Sequence, residues 1–232
     1  MAFDQGQKPR IAVVNQATVN LGVDFNALVA ALYSFVNGPF TDVWGTPADL
    51  FVAPEIKPDE WGMVFLDDAD AANALGYHDV TDDGLPLAKV FVKDTLENGG
   101  LVSVTAAHEV FEFLVDPGCN LCASHPDGTI YAYECADACE EVGFEYQGVM
   151  LSDFVYPSWF EGFRGKGSVR FNHLESIDAP FKLLEGGYAI ISQQGRWSEI
   201  FGSRGKAARF AKEDRRGHRS ELRKNLASPG VH

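Results

Sequence analysis

The stretch SVTAAHEVFEFLVDP, residues 103–117, reads as one short helix closed by Asp116, Pro117 and Gly118. Val104, Ala107, Val110, Phe111, Phe113, Leu114 and Val115 leave it almost no polar face, so the helix is expected to sit inside the molecule. Yet it carries His108, Glu109 and Glu112. His108 and Glu112 are four residues apart and fall on one helix face, where both can close on one ion, with Glu109 pointing beside them. Half-burying two carboxylates beside an imidazole is costly unless a cation or dense hydrogen bonding offsets it. A metal or catalytic role is therefore the expectation, and an ordinary His108–Glu112 helical ion pair is the alternative.

The pattern resembles the His-Glu-x-x-His helix of the zincin superfamily with the second His replaced by Glu, and it is similar to phage and prophage proteins sharing a His-Glu-x-x-Glu helix. The close match covers about a dozen residues, and the order of elements extends it over roughly residues 60–160. The resemblance implies that His108 and Glu112 hold zinc and that Glu109 is the catalytic general base on a metal-activated water. In the gluzincin branch the third ligand is an acid on a later helix. The segment from Tyr131 to Glu140 offers Glu134 and Asp137 at that remove. If the segment is helical these two share a face, so either could be the ligand and the other its supporting contact. His125, in the turn sequence His-Pro-Asp-Gly, reads as a solvent-exposed residue.

Exchanging an imidazole for a carboxylate changes the chemistry of such a site. Two carboxylates cancel the charge of a divalent ion, so bound water is less acidified and hydrolysis weaker. Oxygen-rich coordination also widens the occupants from zinc to manganese or calcium.

The four cysteines lie together, as Cys119-x-x-Cys122 and Cys135-x-x-x-Cys139. A structural zinc, one or two disulfides, or free buried thiols all fit this spacing. Either of the first two would clamp Glu134 and Asp137 relative to the helix.

Working outward, Arg10 to Thr18 reads as a buried strand. Asp24 caps a helix with apolar residues at Phe25, Leu28, Val29, Leu32, Phe35 and Val36, stopped by Asn37-Gly38-Pro39. Leu50–Ala53 and Met63–Leu66 read as strands, and 69–86 as an irregular stretch rich in Asp and Gly. Ala88 to Lys93 alternates as a further strand; by resemblance, Lys89 to Val92 are the edge that lines a substrate cleft. Phe144 to Leu151 reads as a hairpin around Gln147-Gly148. Tyr156 and Asp153 are remote candidates for an oxyanion donor and a supporting acid, with core and turn roles preferred. Strands and helices do not alternate regularly, which gives an α+β class: a zincin-like mixed sheet with a long N-terminal helix and the metal-site helix on one face.

The chain has 232 residues, 46% of them hydrophobic, enough for a proper core, with one domain over 1–202 and a basic tail over 203–232. From Ser203 to Leu226 nine basic residues face three acids, whereas the whole chain has 19 basic against 33 acidic residues. Such a tail suits self-assembly or virion contacts, its own acidic body or, less well, nucleic acid, since no aromatic residue follows Phe210. No apolar run approaches membrane length and the N-terminus lacks a signal-peptide core, so the expected setting is a cytoplasm, or alternatively a virion. Two functions follow: a zinc-dependent metallopeptidase-like hydrolase acting on peptide or protein, or a non-enzymatic phage structural protein with a vestigial or structural metal site. There is no phosphate loop, dinucleotide fingerprint, serine elbow or internal repeat.

Overall fold

The computed structural model describes residues 8–70 and 74–204. The basic tail beyond Arg204 lies outside the described residues. The class is α+β, with several sheets and few helices.

Strand β1 (Arg10–Asn15) buries four successive residues, Ile11 to Val14. Such two-sided burial belongs to a central parallel strand. It pairs in parallel with β2 (Asp49–Val52) on one side and β3 (Trp61–Leu66) on the other. β3 pairs in parallel with β5 (Pro86–Phe91), which pairs antiparallel with β4 (Gly76–Val80). The sheet order is thus β2-β1-β3-β5-β4, with β4 an antiparallel edge.

Two expectations are corrected here. Part of the supposedly irregular stretch 69–86 is β4 and its turn into β5. Strand β5 is not an edge, because β4 covers it, and Val92 already opens the short helix α3 (Val92–Glu97). Lys89 ties the two strands together, pairing with Asp70 and donating to the Tyr77 hydroxyl.

Helix α1 (Phe25–Phe35) starts as expected, with the Asp24 carboxylate accepting from the Ala27 N–H at 2.7 Å. Its end differs from expectation. Asn37-Gly38-Pro39 kinks the chain through a wide turn over Val36–Phe40, with Gly38 at φ −126 and ψ −107, and coiling resumes in α2 (Thr41–Trp44). Pro39 is tolerated because it falls at the kink.

Helix α4 (Val102–Val115) packs on β4 and β5. It shares its face of the sheet with α1: Phe35 meets Phe111 at 5.6 Å, and Phe40 stacks on Phe111 at 4.6 Å. Phe113 reaches Trp61 of β3. The chain then forms β6 (Cys122–Ser124), β7 (Ile130–Ala132) and a single helical turn at Asp137–Cys139. The hairpin of β8 (Gly143–Tyr146) and β9 (Val149–Ser152) turns at Gln147 and Gly148, both at positive φ as such a turn requires. It packs on α4 through β9. Strands β10 (Tyr188–Gln193) and β11 (Arg196–Phe201) complete a second, antiparallel sheet ordered β11-β10-β7-β6.

Candidate metal centre

Three segments meet at one buried spot: the inner face of β4, the middle of α4, and the loop from Glu134 to Asp137. Helix α4 supplies His108, Glu109 and Glu112, of which Glu112 is 1% and His108 9% exposed. They are buried outright rather than the half-burial the sequence led one to expect. His108 Nε2 lies 3.2 Å from Glu112 Oε2 and 3.3 Å from Asp137 Oδ1. The pair at helical spacing therefore exists, but as part of a larger cluster.

The loop is fixed from several sides. Ala136 N–H donates to Glu112 Oε1 at 3.2 Å, Val155 N–H to Cys135 O at 2.7 Å, and Leu184 N–H to Ala138 O at 3.0 Å. Gly187, at the mouth of β10, lets the strand approach so closely that a Cβ there would sit 2.1 Å from Ala138 O and 3.1 Å from Asp137 O. Glu134 and Asp137 do not share a helix face, because helical geometry begins only at Asp137. They diverge: Asp137 faces His108, and Glu134 Oε2 faces Nε2 of His78 at 3.8 Å.

His78, on β4, is the residue that sequence reasoning missed. It is fully buried, and its Nδ1 lies 3.3 Å from Glu109 Oε2 and 3.6 Å from Glu112 Oε2. The signal that could have found it was Asp83-Gly84 ahead of the Pro86 strand, a hairpin turn that implies a partner strand before it. Gly76, two residues earlier on the same inward parity, makes room for Glu109; a Cβ there would meet Glu109 Oε1 at 2.9 Å.

The donor atoms form two overlapping groups, His108–Glu112–Asp137 and His78–Glu112–Glu134, each with its ligand atoms within 4.8 Å of one another. Glu112 belongs to both. Burial alone would lower the His108 pKa, but the charge of Glu112, hydrogen bonds to Asp137 and Glu112, and the charge of Glu109 hold it well above its ordinary 6.5. The spot attracts positive charge, whether as a proton on His108 or as a cation. One imidazole with two carboxylates is a donor set that fits a borderline or hard divalent ion.

Of the three alternatives for the cysteines, no disulfide joins any of the four, and none of them belongs to either donor group among the described residues. Cys119, Cys135 and Cys139 are buried, while Cys122 is exposed on β6. Burial pushes the Cys135 and Cys139 thiols well up, with carboxylates such as Glu112 and Asp153 adding to it. Cys119 Sγ approaches His78 O at 3.8 Å, so one thiol does touch the site's backbone. His125 pairs with Asp127 in its turn, as a partly exposed residue should. Asp153 takes the Asn172 amide and the backbone N–H groups of Phe154 and Leu174, and Tyr156 meets His173, roles in loop packing.

Compared with protein-family models, curated proteins and solved structures, the chain finds no match. No described helix is long and apolar enough to cross a membrane.

Proposed function

We propose that the protein is a metal-dependent hydrolase of peptidase type, in which His108, Glu112 and Asp137 hold a divalent cation, zinc or a harder ion, and Glu109 is the general base. The observation that carries this reading is the convergence of an imidazole and two carboxylates, from two separate segments, within 4.8 Å. A divalent ion in that triangle would supply Lewis acidity, acidifying water and polarising a carbonyl. The chain's own contribution is orientation. Glu112 is held by the Ala136 N–H, and Asp137 by the turn packed under Gly187. Glu109 is kept facing the cluster by His78 Nδ1 and by the space over Gly76. A mixed sheet whose antiparallel edge strand lies beside the helix supports a zincin-like reading, with β4 in the place where an extended peptide would pair.

The depth of the cluster favours a second reading. Glu112, Asp137, Glu134 and Glu109 are each less than 5% exposed, as suits an ion that clamps β4, α4 and the loop in a non-enzymatic protein, such as a phage structural component. In that role the ion contributes folding energy and has no open position.

Glu109→Gln separates the two. As an enzyme, the protein should hydrolyse a mixed peptide library or casein, and the variant should lose about a hundredfold or more of that activity while keeping its metal and its melting temperature. As a clamp, neither protein hydrolyses anything, and chelation lowers the melting temperature of both. Absence of bound metal in the wild type by elemental analysis defeats both readings.

A further inference from the structure

His78 is a poor fit to a one-ion site. Its two ring nitrogens face carboxylates in different directions, Nδ1 toward Glu109 and Glu112, Nε2 toward Glu134. A neutral imidazole carries one N–H, so one nitrogen must present its lone pair to a carboxylate oxygen unless positive charge lies between them. With Nδ1–H donating to Glu109 Oε2, the lone pair is at Nε2, which faces Glu134 Oε2 at 3.8 Å, and His78 falls in one donor group with Glu112 and Glu134. A ligating histidine commonly has its other nitrogen tied to a carboxylate in this way. His108 differs in meeting both of its carboxylates, Glu112 and Asp137, at the one nitrogen Nε2.

We propose that the centre binds two divalent cations, the second held by His78, Glu112 and Glu134, with Glu112 as the carboxylate shared between them. The proposal rests on the reading that His108, Glu112 and Asp137 hold the first ion. Glu112 belongs to both donor groups, and its Oε2 lies 3.2 Å from His108 Nε2 and 3.6 Å from the nearer ring nitrogen of His78, so the carboxylate stands beside both rings. Each ion then has one imidazole, one private carboxylate and the shared one. Two divalent ions also match Glu109, Glu112, Glu134 and Asp137 charge for charge, as burial demands. Glu109 acquires a second duty, orienting His78. Paired ions about 3.5–4 Å apart are the arrangement found in many hydrolases of peptides and phosphate esters.

The test is Mn2+ binding to the full chain, read as stoichiometry by equilibrium dialysis and elemental analysis, and as spin coupling by electron paramagnetic resonance. Mn2+ is chosen because thiols bind it poorly, which keeps the cysteines out of the count. The expected result is two ions per chain with an exchange-coupled spectrum, falling to one ion with an isolated-Mn2+ spectrum in Glu134→Gln. Because His78→Ala would leave a hole in the core, the Glu134 variant carries the test, with circular dichroism to verify its fold. Should it prove unfolded, the wild-type stoichiometry and spectrum decide alone. One ion per chain in the wild type overturns the second site and leaves the first standing. No ion overturns both. Two uncoupled ions, unaffected by Glu134→Gln, place the second elsewhere and also overturn the proposal.

Discussion

Replacing Gly187 by Ala tests whether β10 sets the position of Asp137. The added methyl would lie 2.1 Å from Ala138 O and 2.6 Å from its carbonyl carbon, both backbone atoms with no rotamer to escape into. One side must yield by about 1 Å, an overpacking strain worth about 1–3 kcal/mol. For a domain of this size that corresponds to a melting temperature lower by about 2–12 °C. The displaced segment is the turn that carries Asp137, whose Oδ1 is 3.3 Å from His108 Nε2. Retreat of a ligand by about 1 Å, when ion–oxygen distances run near 2 Å, should weaken metal binding by about tenfold to a hundredfold. Differential scanning calorimetry and Mn2+ titration read the two effects separately. If Gly187→Ala melts within 1 °C of wild type (a shift of about 0.3 kcal/mol) and binds metal equally well, β10 does not position Asp137.

Two further outcomes are expected. The raised His108 pKa means that the folded, metal-free protein holds a proton that the unfolded chain gives up near pH 6.5. That stabilisation is therefore complete below about pH 6.5 and is lost as pH rises through the higher folded value, so chelator-treated protein should become less stable toward alkaline pH and His108→Gln should flatten the slope, as urea titrations at a series of pH values would reveal. In a thiol-reactivity assay on the native protein, Cys122 should react quickly and Cys119, Cys135 and Cys139 only on unfolding, since one is exposed and three are buried. Four equally reactive thiols would contradict that packing.

The parts of this structure legible in sequence were those with local causes. Asp24 announced α1 because a cap bonds within three residues. The apolar wrapping of residues 103–117 announced a buried helix, and Gln147-Gly148 announced a hairpin, because each signal lies within the element that it makes. His108, Glu109 and Glu112 came together for the same reason. His78 did not, since its strand turns Gly76, His78 and Val80 inward, a set without the apolar alternation that marks a half-buried strand. Reading Glu134 and Asp137 as alternatives came from assuming one helix for both. The helical turn starts only at Asp137, and the two acids go to different histidines. Which histidine each acid meets is fixed by tertiary packing, through Ala136, Val155 and Leu184, and no spacing along the chain encodes that.

The pairing of β4 with β5 determines more than the width of the sheet. Successive residues of a strand point to opposite faces, so a slip of one place would turn His78 out and bring Tyr77 or Asp79 against α4. An edge strand is held from one side only and is the member of a sheet most open to such an error. Here the alignment His78↔Ala88 is set by the turn between the strands: Thr81 N–H donates to Leu85 O at 2.8 Å, Gly84 N–H returns to Thr81 O at 2.8 Å, and the Thr81 hydroxyl takes the Leu85 N–H at 3.1 Å. Gly84 occupies the left-handed conformation that closes this loop, at φ 77. A solvent-facing turn of five residues thus acts as the gauge that decides which side chain faces the acids of α4, and its length is constrained by what the far side of the strand must present.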